Sequence, residues 1–238
     1  MATGGADHPP SKSNPEITWI FSTALTEKEL EQSPIAQPWQ AGLPVRLITV
    51  GSLLPGKNIT ALINALPLLR EHFPQLSLEV IGMGRLLNEL QQQTRQLGLE
   101  QVVQFSGNLP HEEVLIHLSR SHVFVFPTLY EGFPKALLEA MTCGLPIVAS
   151  PVSVIPRLLG GGAGLLLGGQ DASSIVVAVT DLLSNPERMA AMGQLARERA
   201  QSYTLERWRD EIGQRLINAW GKPLKQGSTE SDQRVELA

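Results

Sequence analysis

The sequence predicts an α/β fold, a single Rossmann-like doubly wound parallel sheet, on three observations. From Val45 onward, short apolar runs alternate with longer amphipathic stretches, the rhythm of strands joined by crossover helices. The runs, such as Val123-Phe-Val-Phe126, are β-branched and aromatic throughout, as strands covered on both faces must be. Stop signals close the helical stretches: Pro74 after the first, Gly98 after the second and Gly144 after the fourth.

Residues 1–14 are rich in Gly, Pro, Ser and polar side chains and read as a disordered lead. Residues 15–44 read as a connecting segment with no independent domain. Ile17–Phe21 could be a strand, and Pro34, Pro38 and Pro44 punctuate a stretch packed by Trp39. The sheet domain runs from 45 to 221. Its strands are expected at 45–50, 76–81, 101–105, 123–126 and 146–149, with a weaker one at 164–167. Its helices are expected at 57–72, 85–97, 111–120, 134–143, 171–184, 186–201 and 205–219. In the first helix Ile59, Leu62, Ile63, Leu66 and Leu69 form a core stripe, with Pro67 expected to bend it. The helix at 134–143 leaves only Lys135, Glu139 and Thr142 as a narrow polar sector and is therefore mostly buried. Residues 222–238 read as a disordered tail.

Composition narrows the function. At 42% hydrophobic the chain has ample material for a core. A net charge of −4, with a pI near 5.8, supplies no basic field for nucleic acid or an anionic membrane. Any anionic ligand must be held locally. One cysteine, Cys143, lies in a buried helix and reads as a small core residue. No stretch approaches the ~20 apolar residues of a membrane span, and the first residues lack a signal-peptide core, so the cytoplasm is the default compartment. The histidines show no metal-ligand spacing, and no metal site is expected.

Three loops carry candidate chemistry. Gly51-Ser-Leu-Leu-Pro-Gly56-Lys57-Asn58 fits part of a phosphate-binding P-loop, but Asn58 stands where a magnesium-binding Ser or Thr belongs and Pro55 removes an amide. A looser reading survives, a Lys at a helix N-terminus facing an anion. Its bland rival is a solvated lysine. Gly82-Met-Gly84 follows a strand, but Leu87 stands in place of the third glycine of a dinucleotide fingerprint, and a tight packed turn explains the pair equally well. In the third loop, Pro127 to Pro134, Glu131 lies at the C-terminal edge of the sheet and the N-terminus of a helix, where open α/β sheets bind ligands. Glu139 follows Lys135 by four residues, so a solvent-facing ion pair is its bland explanation.

Glu131-Gly-Phe-Pro-Lys-Ala-Leu-Leu-Glu139-Ala-Met-Thr-Cys-Gly-Leu-Pro-Ile-Val-Ala-Ser resembles the Glu-x7-Glu signature of retaining, nucleotide-sugar-dependent glycosyltransferases of GT-B fold, the glycosyltransferase group 1 family. The likeness extends in order to Val-Gly51-Ser-Leu-Leu-Pro-Gly-Lys57, Val-Ile-Gly82-Met-Gly84, Val-Gln-Phe-Ser-Gly107-Asn-Leu109 and Val-Phe-Pro127-Thr. It covers the donor-binding, C-terminal domain of the family.

The resemblance implies a UDP-, GDP- or ADP-sugar as donor, no cofactor, no metal, and glycosyl transfer with retention to an unknown acceptor. Lys57 would pair with the diphosphate and, with Glu131, is the catalytic candidate. Glu131 would accept from hydroxyls of the transferred sugar, and Glu139 from the ribose. Gly132, Phe133 and Pro134 would form a turn with free amides, with Gly82 at the ligand and Gly107 and Leu109 flanking the base. There are three departures from the family pattern. Ser52 replaces an Arg that would be a second diphosphate clamp. Val152–Arg157 replaces a Gly-Gly turn and Pro-Glu, with Arg157 a candidate to restore the charge. Residues 1–44 leave no room for the acceptor-binding N-terminal domain, which implies a separate acceptor-binding domain or subunit, or alternatively a non-catalytic nucleotide-sugar-binding or partner-binding domain.

Overall fold

A computed structural model describes residues 23–221, together with the backbone of 2–3 and 19–20. The remainder of the expected lead at 1–14 and the expected tail at 222–238 lie outside the described residues. Six parallel strands form the sheet: β3 (Arg46–Val50), β4 (Ser77–Ile81), β5 (Val103–Gly107), β6 (Val123–Phe126), β7 (Ile147–Ala149) and β8 (Leu165–Leu166). Before them β1 (Ala2–Thr3) pairs in parallel with β2 (Trp19–Ile20), a departure from a wholly irregular lead. The helices are α1 (Glu27–Gln32), α2 (Ile59–His72), α3 (Leu87–Gln96), α4 (His111–Ser119), α5 (Lys135–Thr142), α6 (Ile155–Leu158), α7 (Ala172–Leu183), α8 (Pro186–Ala200) and α9 (Leu205–Trp220). No helix among the described residues is long and apolar enough to cross a membrane.

The sheet order is β5-β4-β3-β6-β7-β8. The chain therefore builds outward from β3 to one edge, returns to the middle, and builds from β6 to the other. This is the doubly wound order, and its topological switch point falls between β3 and β6. Alternation along the strands feeds two cores. Leu47, Leu78, Val80, Val123, Val125 and Val148 join the layer under α2 and α7, whereas Ile48, Ile81, Phe124, Phe126, Ile147 and Ala149 join the layer under α4, α5 and α8. Period-2 side chains on a sheet covered on both faces produce this division, which is why the strands read as continuous apolar runs.

Two boundaries move. The expected strand at 101–105 begins at Val103, because the amides of Val102 and Val103 both donate to Leu99 O and hold the preceding residues in a turn. The expected helix at 57–72 begins at Ile59: Pro55–Lys57 form one 3₁₀ turn, closed by Asn58 in the left-handed region. Gly144 ends α5 at φ +68°. Its amide donates to Met141 O and that of Leu145 to Ala140 O, the paired bonds of a Schellman motif. Gly98 closes α3 in the same way. Trp39 is buried edge-on against Phe73, so the segment before β3 is packed by this ring. Cys143 is fully buried, which pushes its thiol up to about 12.

Candidate functional site

At the switch point the loop after β3 and the loop after β6 meet. The Leu129 amide donates to Gly56 O at 2.7 Å, and the hydroxyl of the buried Thr128 lies 2.9 Å from both Gly56 O and Tyr130 O. Asn58 ties the first loop to the chain before α7 through Gln170 O at 2.8 Å. These bonds fix Lys57 and Glu131 relative to each other although 74 positions separate them.

Lys57 Nζ pairs with Glu131 Oε2, and the ammonium also stands 5.1 Å from the centroid of the Phe126 ring. Their side chains are only 21% and 14% exposed, so the pair is poorly screened. The other carboxylate oxygen of Glu131 accepts from the Gly132 amide at 3.1 Å. The expectation of free amides in this turn is corrected at two of its three residues: Gly132 N–H is engaged by Glu131, and Pro134 has no N–H. Ser153, itself at φ +52°, donates to Gly132 O at 3.1 Å and braces the turn from the far side.

Lys57, Glu131, Phe133, Pro134, Lys135 and Glu139 share one cavity of about 350 Å³ with Gly51 and Ser52. Across Val50, Gly51 and Ser52 it continues into a second hollow of about 580 Å³, which Gly82, Met83, Asn108 and Leu109 line. Together they form a groove along the carboxyl ends of β3, β4, β5 and β6. Gly82 sits where β4 leaves the sheet at φ +136°, and a Cβ there would overlap the Gly51 carbonyl oxygen. Gly107 turns the end of β5 at φ +69° and accepts from the Gly82 amide at 2.7 Å.

Glu139 differs from its bland reading. Among the described residues its ion-pair partner is His111, whose Nδ1 is 3.2 Å from Glu139 Oε1, and not Lys135. Burial pushes the Glu139 carboxyl above the usual carboxylate range, and the attraction of His111 pulls it part of the way back. Sequence reasoning missed His111 and Thr128. It also proposed Arg157 to replace the missing clamp, but Arg157 is exposed on α6 and absent from the cavity wall, which instead carries Lys135. Lys135 is the first residue of α5, where the helix dipole disfavours a cation by about 0.3–1 kcal/mol. Lys57 and Lys135 thus face Glu131 and Glu139 across this cavity, with the positive N-terminal end of α5 beside them.

A separate hollow, about 800 Å³, opens at the opposite end of the sheet between Arg46, Ser77, Glu100, Gln104, His117 and Arg120. Several of its polar groups are already engaged: Glu79 accepts from Ser106 and lies 2.8 Å from His117 Nδ1, and Arg46 Nε donates to Arg120 O. Open α/β sheets bind ligands at the carboxyl ends of their strands, which favours the groove at Lys57.

The profile of the family described as glycosyl transferases group 1 matches residues 38–199. The chain belongs to that family. It is 35% identical over 170 residues to a GDP-mannose-dependent alpha-(1-6)-phosphatidylinositol monomannoside mannosyltransferase of Mycolicibacterium smegmatis, covering 68% of this chain and 44% of the relative. It is 30% identical over 197 residues to a glycogen synthase of Mycobacterium tuberculosis, covering 79% and 48%. The chain thus spans less than half the length of these relatives.

Among solved structures, sucrose-phosphate synthase from Thermosynechococcus elongatus superposes with a TM-score of 0.71 at 24% identity, covering 85% of this chain and 52% of that one. Anabaena HepE in complex with UDP and glucose gives 0.69 at 20%, covering 85% and 57%. The C-terminal domain of a group 1 glycosyl transferase from Francisella tularensis gives 0.64 at 20%, covering 74% of this chain and 98% of that domain. These likenesses show the fold of a group 1 glycosyltransferase domain, the Rossmann-like C-terminal half of a GT-B fold.

Proposed function

We propose that the groove binds a nucleotide-diphosphate sugar and serves its transfer, with retention of configuration and without a metal ion, to an acceptor held by another domain or subunit. The observation that carries this reading is the convergence of Lys57, Lys135, Glu131 and Glu139 on one cavity at the switch point of the sheet. The donor diphosphate lies against Lys57 and the first turn of α5, and it competes with Glu131 for the Lys57 ammonium. Its arrival frees the Glu131 carboxylate and the Gly132 amide together, and Glu131 then accepts from hydroxyls of the transferred sugar. Glu139 accepts from the ribose, and the hollow beside Gly82, Gly107 and Leu109 takes the base.

As the glycosidic bond breaks, negative charge grows on the diphosphate and positive charge on the sugar. Lys57 stabilises the first, and Lys135 supplies the second cation that Ser52 cannot. In this reading the charge is met by lysines and backbone amides without a metal ion. The donor is a UDP-, GDP- or ADP-sugar, and GDP-mannose is tested first, since the mycobacterial relative is named for its dependence on it.

Calorimetric titration of the chain with UDP, GDP, ADP and their sugars tests the reading, followed by an assay of donor hydrolysis. One diphosphate should bind in the micromolar to millimolar range, and Lys57→Ala should weaken it by about tenfold to a hundredfold, as expected for a charge-assisted contact. Absence of binding to all of them by a folded chain overturns it. Binding without turnover, with or without added acceptor domain, favours the non-catalytic binding domain, for which Ser52 in the clamp position is the specific argument.

A further inference from the structure

Glu139 stands in the wall between two cavities. In front is the groove with Lys57 and Glu131. Behind is a smaller hollow, about 260 Å³, bounded by Leu25, Glu29, Ser33, His111, Leu115 and Leu138. His111 occupies this back side: Nδ1 is 3.2 Å from Glu139 Oε1, and Nε2 is 3.8 Å from Glu29 Oε1.

Glu29 is itself fixed. Its other oxygen accepts from the Thr26 amide and the Thr26 hydroxyl, each at 2.8 Å, while the Glu29 amide donates to Thr26 Oγ1 at 3.0 Å. This capping box holds α1. A continuous chain of polar contacts therefore runs from the N-terminal turn of α1, through Glu29 and His111, to the carboxylate facing the groove. The α1 end of the chain lies outside residues 38–199, the span of the family profile.

Resting on the reading of the groove as a nucleotide-sugar site, we infer that His111 is a positioning residue, which fixes the Glu139 carboxylate toward the ribose hydroxyls and is itself braced by Glu29 of α1. A half-buried carboxylate on a helix has several rotamers, and its 25% exposure leaves room for it to swing. A donor on one of its oxygens selects one rotamer and leaves the other oxygen for the ligand. His111 is the first residue of α4, so its ring is held by a helix at the backbone, with Nδ1 close to the Glu139 carboxylate and Nε2 at a longer ionic distance from Glu29.

The test compares wild type with His111→Phe and His111→Asn, in calorimetric titrations of whichever nucleoside diphosphate the wild type binds, its 2′,3′-dideoxy analogue and inorganic pyrophosphate. His111→Phe keeps the ring but removes the donor, whereas Asn places an amide N–H near the position of Nδ1–H. The phenylalanine variant should bind the ribonucleotide about fivefold to tenfold more weakly. Its affinity for the dideoxy analogue and for pyrophosphate should match wild type, and His111→Asn should recover most of the loss. At 49% side-chain exposure, position 111 tolerates substitution. If the aromatic ring nevertheless disturbs the fold, His111→Ala replaces it in the same comparison.

Equal ribonucleotide affinity in wild type and a folded donor-free variant overturns the inference and leaves the nucleotide site standing. Equal weakening for all three ligands also overturns it, because the loss would then be general and not at the ribose. No binding of any diphosphate by wild type removes the reading of the groove, and the role of His111 with it.

Discussion

Two residues, one set by burial and one by its place at a helix end, make separate predictions. His122 accepts from the Arg46 amide through Nδ1 at 3.0 Å, and burial with the neighbouring Arg46 charge lowers its pKa from 6.5 to about 4. In the window from about pH 6.5 down to about 4, the unfolded chain binds a proton that the folded chain refuses. This group's contribution is therefore present above 6.5 and lost on acidification through that window. Thermal melts between pH 7 and pH 4.5 should show a steeper decline for wild type than for His122→Asn. Lys135→Gln makes the second prediction: it should weaken nucleoside diphosphate binding about threefold to tenfold while leaving the melting temperature unchanged or slightly raised, since it removes a cation from the positive end of α5. Calorimetry and melts on one sample read both.

Lys57, Glu131 and Glu139 were legible in the sequence because the strand, turn and helix that carry them are local, and each motif brings its own geometry. His111 was not. Its partner is 28 positions away and meets it only when α4 packs beside α5, a distance that no periodicity records.

At the scale of elements, strands and helices were readable wherever both period and stop signal were present, as at Gly98 and Gly144. α1 was missed although Thr26-x-x-Glu29 is a capping-box pattern, because a helix of six residues has too short a period to stand out from the prolines around it. The start of α2 was misread for a different reason: the left-handed Asn58 separates the 3₁₀ turn from the helix, and a left-handed asparagine has no distinct local signature. Two substitutions test how these elements are held. Asp171 caps α7 by accepting from the Ser174 amide at 2.8 Å, and this bond, reinforced by both serine hydroxyls nearby, keeps its carboxyl below the usual range. Asp171→Ala should lower the midpoint of chemical denaturation. Gly82→Ala should cost more, about 2–4 kcal/mol, because it combines a strained φ with overlap on the backbone of the β3 loop. A denaturation midpoint unchanged from wild type would contradict the tight crossing of these loops.

For the whole molecule, the doubly wound order fixes where chemistry can occur. Returning the chain to the sheet centre at β6 leaves a crevice beside β3, and the two loops that flank it carry the cation and the carboxylate. The opposite end of the sheet holds another hollow, of about 800 Å³, so volume alone does not choose between the two ends. Amide chemical-shift mapping by ¹H–¹⁵N NMR during titration with a nucleoside diphosphate decides between the two ends. Shifts concentrated at residues 51–57, 82–84, 107–109 and 131–139, with residues 77 and 100–104 unmoved, are the predicted result. Shifts centred on residues 77, 100–104 and 117–121, or none at any concentration in a folded chain, would contradict the assignment of the groove at Lys57 as the donor site.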